Sequence, residues 1–307
     1  MFLVCGEALM DVFAAGETAT GMTLDARVGG SPFNVAVGLA RMGQPVSLLS
    51  SISRGFLGDR LMQALTSEGV QTGTVQRSDH PTTLSLVGLD ANQIPSYAFY
   101  GDGAADRQLT PQALSAIPAS VRVLHFASYA TVVEPIASTL RALLEQQRTR
   151  CLVSFDPNVR LNVQPVASVW REHLQWMLPR CHLLKISDED LGLLLPGTSI
   201  ERFAAQALAK GVKLVVVTRG TEGATAWTQT ATAHVASLPV SVVDTVGAGD
   251  TFQAALLTWL AEKALLGASD LDTLTNSQLE SALAFSTRAA ALTCSRRGAD
   301  LPRRSEL

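Results

Sequence analysis

Chemistry is most legible at Asp244-Thr245-Val246-Gly247-Ala248-Gly249-Asp250-Thr251-Phe252, where three small residues run into a carboxylate and then into an apolar helical pattern. Backbone N–H groups can close on an anion only where no side chain blocks the approach. The N-terminus of the following helix adds positive dipole charge there. Gly247, Ala248 and Gly249 meet that requirement. Asp250, in the first helical turn, would project its carboxylate beside a bound phosphoryl group, where it can take a proton from an attacking hydroxyl. The pattern predicts a phosphate site that carries its own base. The alternative is a glycine-rich loop that merely starts a helix.

Two common phosphate motifs do not fit. A dinucleotide fingerprint needs a third glycine where this chain has Phe252. A P-loop needs Gly-Lys-Ser or Gly-Lys-Thr, and neither occurs. The histidines His80, His125, His173, His182 and His234 show no ligand spacing and no nucleophile partner, which argues against metallohydrolase or triad chemistry.

Other polar groups stand at the ends of apolar runs. Asp11 follows the first run, and Asn34 lies on the first turns of a helix preceded by Gly29 and Gly30. Carboxylates and amides so placed can bind several sugar hydroxyls at once, with the glycines allowing close backbone approach. Alone, Asp11 would read as a turn residue and Asn34 as a local backbone cap. Tyr97, Phe99 and Tyr100 could shield the apolar face of a sugar ring or simply pack a strand. Asp156-Pro157-Asn158-Val159-Arg160 ends another run at the sheet edge where open α/β sheets bind ligands, with Arg160 suited to a phosphate or sugar oxygen. Lys185 lies at the same edge, near the phosphates or in a salt bridge.

The stretch Asp244 to Phe252 resembles the C-terminal signature of the ribokinase-like (PfkB) sugar kinases, D-T-x-G-A-G-D-x-F. A second match is Gly29-Gly30-Ser31-Pro32-Phe33-Asn34-Val35-Ala36, preceded by Gly6-Glu7 and Asp11, and the spelling at 29 to 43 is most similar to bacterial fructokinases. The resemblance spans essentially the whole chain. It implies an ATP-dependent sugar kinase with Asp250 as base and the 247–250 amides as anion hole, most simply a fructokinase. The alternatives are a 2-keto-3-deoxygluconate kinase, a ribokinase, or a sugar-binding module without catalysis. It assigns Asp11, Gly29, Gly30 and Asn34 to the sugar. Thr218-Arg219-Gly220-Thr221-Glu222-Gly223 is similar to the family's T-x-G-x-x-G, which implies nucleotide contacts at Thr218, Gly220 and Gly223. Ser286 and Thr287 fall where the family packs adenine. Asp244, Val246, Thr293 and Gly298 fall where members hold a monovalent cation such as K+.

Departures are informative too. Ser187 and Asp190 replace the usual N-x-x-E, so Mg2+ would be met through water by Asp190 or by Glu189. Gly101 stands where many fructokinase-like sequences carry Arg, and Ala105-Asp106-Arg107 follows in fructokinase-like form.

These groups need a scaffold. A chain of 307 residues with 47% hydrophobic content and mean hydropathy of +0.21 can bury an extensive core. Net charge of −3 with no basic block predicts neither nucleic acid nor membrane as partner. Cys5, Cys151, Cys181 and Cys294 are dispersed and read as reduced thiols. The opening Met1 to Cys5 is apolar but is interrupted by Glu7 and Asp11, unlike a signal peptide, which predicts a cytoplasmic enzyme.

Apolar runs at Met1–Gly6, Val46–Ile52, Val121–Ala127, Cys151–Asp156, His182–Ile186 and Val212–Thr218 alternate with amphipathic helices. This predicts one α/β domain over 1–307, a three-layer α/β/α sandwich on a mostly parallel sheet. Ser31 reads as the N-cap of a helix with Pro32 at its first position, and Gly43, Gly69 and Gly211 as helix stops. Segments of about 12–28 and 82–101 are richer in Thr, Val, Tyr and small residues. They predict a separate small sheet, which in the resembling family is a lid over the sugar. Exposed lid edges would allow a homodimer.

Overall fold

The apolar runs become the strands of a central sheet, because a parallel strand covered on both faces can be apolar throughout. The computed structural model describes residues 1–89 and 95–307, with 87, 89 and 95–97 described by backbone alone. The main sheet contains β1 (Phe2–Cys5), β4 (Val46–Leu49), β9 (Val123–Ala127), β10 (Leu152–Asp156), β11 (Leu183–Ser187), β12 (Leu214–Thr218), β13 (Ala224–Trp227) and β14 (Thr232–Val235). Its order is β14-β13-β12-β11-β10-β9-β1-β4, parallel from β12 to β4, with β13 and β14 antiparallel at one edge.

Alternation along each strand divides the core between two faces. Phe2 and Val4 of β1 pack with α1 (Ser31–Arg41), α2 (Phe56–Ser67), α7 (Ala248–Glu262), α8 (Ala268–Leu271) and α9 (Asn276–Cys294). Leu3 and Cys5 pack with α3 (Ile136–Gln147), α4 (Ala167–Met177), α5 (Asp188–Leu194) and α6 (Ile200–Ala209). The outcome is the predicted sheet with helices on both sides.

Helix α7 is buried from Asp250 to Leu260. An all-round buried helix is held by core packing rather than by an amphipathic stripe. Truncating a core leucine such as Leu257, which is fully buried, would cost about 2–5 kcal/mol. Close packing of α1 on α7 depends on Gly38, where a Cβ would lie 2.8 Å from Ala254 Cβ and 2.6 Å from Leu301 Cδ2. That approach brings the start of α1 against the start of α7.

The second sheet has the order β3-β2-β7-β8, from β2 (Leu9–Thr18), β3 (Gly21–Gly29), β7 (Leu84–Leu89) and β8 (Pro95–Tyr100). It corresponds to the predicted lid segments, although the first strand begins earlier, at Leu9. Met10 and Val12 are buried at its root, while the strand is exposed from Ala14 onward. A two-stranded sheet of β5 (Ser51–Ser53) and β6 (Gln76–Ser78) is the third sheet among the described residues. Gly43, Gly69 and Gly211 follow their helices at positive φ as expected. Cys5, Cys151 and Cys181 are buried free thiols, and Cys294 is a half-buried one. No described helix is long and apolar enough to cross a membrane.

One expectation needs correction. Gly30, not Ser31, is the N-cap of α1, and Ser31 lies inside the helix with Pro32 behind it. Its hydroxyl is drawn away from the local backbone by a stronger acceptor, the carboxylate of Asp250.

Candidate active site

Asp250 sits in the first turn of α7 and is 8% exposed. Ser31 Oγ donates to its Oδ1 at 2.6 Å, and Asn34 Nδ2 donates to its Oδ2 at 2.8 Å. Burial raises the Asp250 carboxyl above the usual range. The Ser31 and Asn34 hydrogen bonds and the charges of Arg160 and Lys185 oppose that shift. The group is thus a carboxylate made more basic by burial and held in place by two donors.

The turn before it is built for exposed amides. Gly247 caps α7 in the left-handed conformation, φ 80° and ψ −1°, which a residue with a Cβ adopts only at a cost of about 1–2 kcal/mol. The N–H of Ala248 donates to the Thr245 carbonyl at 3.2 Å, so the turn itself uses that donor. The predicted four-amide hole is therefore reduced. The N–H groups of Gly247, Gly249 and Asp250 have no backbone acceptor among the described residues. Beneath them lies Lys185, whose Nζ would be 3.2 Å from a Cβ on Gly249.

Lys185 is buried and donates to Asp156 Oδ2 at 2.8 Å. Burial works against its ammonium, but the charge and hydrogen bond of Asp156, with Asp190 and Asp250, raise its pKa. Lys185 therefore stands as a paired charge behind the turn, not as a free arm. Asn158, at φ 39°, turns the chain after β10, and its N–H donates to Asp156 Oδ1 at 3.2 Å. Arg160 follows, exposed, donating to its own Val159 carbonyl at 3.0 Å. Burial raises the pKa values of Glu7, Asp11, Asp190 and Asp250, and the Arg160 charge opposes that rise at each of them.

Asp11 faces this group from β2. It packs against Gly29, where a Cβ would fall 2.2 Å from its Oδ2. Burial raises its pKa, opposed by a Ser85 hydrogen bond and Arg160, while Asp250 adds to the rise. Asp11, Gly29, Gly30 and Asn34 thus meet Asp250 and Arg160 at one end of the parallel strands.

At the lid root Phe99 meets Tyr129 edge-on at 5.5 Å. The Tyr97 side chain lies outside the described residues. The Arg107 guanidinium rests over both rings, 5.7 Å from the Phe99 centroid and 5.9 Å from that of Tyr129. Its Nη2 would be 2.7 Å from a Cβ at Gly101, so Arg107 fills the place the sequence left without a cation. Asp106 accepts from Thr83 Oγ1 and, at 2.8 Å, from the Tyr129 hydroxyl. Below them is Glu7, 1% exposed, with one carboxylate oxygen unpartnered. Burial pushes it up to about 8 despite hydrogen bonds from its surroundings. No local pattern in the sequence marks Glu7 or Tyr129 for this cluster, because their neighbours are brought in by distant segments, as in the Tyr129–Asp106 hydrogen bond.

The remaining expected residues lie nearer the β12 edge. Thr218 ends β12 half-buried, Gly220 is exposed at φ 49°, and Gly223 lies under the Val235 carbonyl. Ser187 caps α5, its hydroxyl accepting from Asp190 N–H at 3.0 Å. Ser286 is fully buried and bonds the Ala282 carbonyl, while Thr287 is buried with an unpartnered hydroxyl. Asp190 accepts from Val159 N–H at 3.2 Å, and burial with the Asp156 charge moves it up to about 6. Glu189 is exposed.

Among the described residues no three acidic, histidine or cysteine side chains gather as a metal cage. Asp244 ties the α7 turn to the loop after α9. Its Oδ1 accepts from Val246 N–H at 3.0 Å and its Oδ2 from Gly298 N–H at 2.8 Å. Thr293 Oγ1 lies 2.8 Å from Thr251 Oγ1. A monovalent cation there would be held mainly by backbone carbonyls.

The whole arrangement can hold an anion on free amides, set a basic carboxylate beside it, and offer polar groups to a polyhydroxy molecule. Comparison with known proteins agrees with that chemistry. The family model described as pfkB family carbohydrate kinase matches residues 1–306. A fructokinase of Rhizobium leguminosarum bv. trifolii is 34% identical over 266 residues, covering 87% of this chain and 81% of that protein. The crystal structure of a Xylella fastidiosa fructokinase with bound ATP superposes with a TM-score of 0.89 at 27% identity, covering 99% of this chain and 96% of its own. A double-mutant fructokinase of Vibrio cholerae, bound to fructose, ADP and potassium ion, gives a TM-score of 0.81 at 28% identity, covering 97% and 93%.

Proposed function

The chain belongs to the pfkB family of carbohydrate kinases, and from that premise we propose that it is an ATP-dependent fructokinase that phosphorylates the 6-hydroxyl of fructose. One observation carries the mechanism: the buried Asp250 carboxylate stands in the first turn of α7, beside the free amides of Gly247 and Gly249. Asp250 takes the proton as the sugar hydroxyl attacks the γ-phosphorus. The Gly247, Gly249 and Asp250 amides meet charge on the transferring oxygens, where preorganised donors are most effective. The Lys185–Asp156 pair fixes the floor of that turn.

Asp11, Gly29, Gly30 and Asn34 hold the sugar, Arg160 reaches the phosphoryl or sugar oxygens, and Phe99 covers the ring. Thr218, Gly220 and Gly223 take the ribose and phosphates, with Ser187 at their edge and Ser286 and Thr287 lining the adenine region. Mg2+ would be met by Asp190 or Glu189 through water and would neutralise phosphate charge when bound. K+ would sit among Asp244, Val246, Thr293 and Gly298. The whole of 1–307 acts as one kinase domain, with the β3-β2-β7-β8 sheet closing over the sugar to exclude water, which competes as nucleophile. The lid's open edges suit a homodimer, which light scattering would detect.

A second reading, a 2-keto-3-deoxygluconate kinase, is favoured by the Arg107 guanidinium at the lid root, a cation suited to an acid sugar. An ADP-release assay with fructose, 2-keto-3-deoxygluconate, ribose and adenosine decides. Preferred turnover of fructose supports the proposal. Preference for the acid sugar supports the second reading, and sugar binding without ADP release overturns both.

A further inference from the structure

Ser31 has no capping duty at the start of α1, because Gly30 is the cap. It is nonetheless 7% exposed, and its hydroxyl lies 2.6 Å from Asp250 Oδ1. That distance is in the range of charge-assisted O–H···O⁻ bonds, roughly twice as strong as neutral ones. Residues 31 and 34 are one helical turn apart on the same face, so both reach the same carboxylate. Their tasks differ. Asn34 is placed to meet a sugar hydroxyl in the reading above, which would divide its donors between sugar and carboxylate. Ser31 has a single hydroxyl, already given to Asp250.

We propose that Ser31 is the positioning residue for the proton acceptor, its hydroxyl fixing the plane of the Asp250 carboxylate so that one oxygen faces the attacking alcohol. The inference rests on the kinase reading. Two physical effects follow from the one bond. An aspartate side chain can turn about its terminal torsion, which is broad, and a donor on each oxygen removes that freedom. A donor also favours the ionised form, which must predominate for Asp250 to act as a base. The charged neighbours from the surrounding elements are Lys185 on β11 and Arg160 after β10, which favour ionisation, and Asp11 on β2, which opposes it. The α1 contribution is the neutral pair Ser31 and Asn34.

The test compares Ser31→Ala and Ser31→Thr with wild type in the pH dependence of kcat, with melting temperature measured alongside. Loss of the hydroxyl should move the acid limb of Ser31→Ala up by about one pH unit, the size of a hydrogen bond to a charged group. At low pH kcat should therefore fall on the order of tenfold further than on the plateau, while KM for sugar and ATP stays within about twofold. Ser31→Thr, which keeps a hydroxyl, should return the limb to its original place. An unmoved acid limb in a folded Ser31→Ala overturns the proposal, whether kcat is unchanged or uniformly reduced. Asp250→Asn is assayed in parallel to separate the two levels of inference. If it is inactive while the Ser31→Ala limb is unmoved, only the Ser31 assignment fails. If it turns over normally, the base reading fails.

Discussion

Gly247→Ala tests whether the turn before α7 is a structural requirement or a convenience. The native residue lies at φ 80°, and a Cβ there would be 2.7 Å from Ala299 Cβ and 3.0 Å from Ala299 Cα. The left-handed backbone costs a non-glycine residue about 1–2 kcal/mol, and forcing the Ala299 segment aside adds about 1–3 kcal/mol. The sum, about 2–5 kcal/mol, should lower the melting temperature by roughly 4–10 °C at ~2 °C per kcal/mol for a chain of this size. Displaced amides should also cost on the order of 10²–10³ in kcat, the usual loss for one preorganised oxyanion donor. Gly249→Ala provides the contrast. Its φ lies outside the left-handed region and its Cβ would meet only the end of the Lys185 side chain, at 3.2 Å. Calorimetry should place its melting within ~2 °C of wild type while steady-state assays show weakened turnover, because the methyl group obstructs the anion. Wild-type-like melting and kcat in Gly247→Ala would refute the reasoning.

Two further substitutions probe the scaffold and its buried charge. Glu7 is held at about 8 by burial, so the folded state binds its proton more tightly than the unfolded chain does. That stability is complete below the unfolded value near 4.5 and is lost as pH rises through 8, so wild type should melt lower at pH 9 than at pH 6. Glu7→Gln should flatten the dependence, and an unchanged slope in thermal scans counts against the burial argument. Gly38→Val should separate α1 from α7, since a Cβ there already meets Ala254 Cβ at 2.8 Å. It should cost about 1–3 kcal/mol in denaturant titrations and at least about tenfold in kcat by moving Ser31 and Asn34 off Asp250.

The parallel strands were legible because burial on both faces leaves an unbroken apolar signature, as in Leu214–Thr218. The small sheet was legible because its two segments replace unbroken apolar runs with Thr, Val, Tyr and small residues, and β2 is exposed from Ala14 onward. Asp250 could be found because its neighbours in sequence are also its neighbours in space. Ser31 could not, since its partner lies 219 residues away and Ser-Pro is equally good as a local helix start. The same limit left the salt bridge offered for Lys185 without a partner, since Asp156 reaches it only because β10 and β11 lie side by side. It also hid Arg107, which reaches the vacancy at Gly101 only through the fold. The Ala248 amide was lost from the expected hole through a turn bond to Thr245 that composition does not reveal.

Phosphoryl transfer by this site depends on Asp250 accepting the proton, and single-turnover kinetics of Asp250→Asn with ATP and fructose measure that directly. The amide replaces one carboxylate oxygen with nearly the same shape. Phosphoryl transfer is expected to slow by on the order of 10²–10⁴ while ATP binding stays near wild type. Transfer at the wild-type rate by the asparagine variant would contradict it.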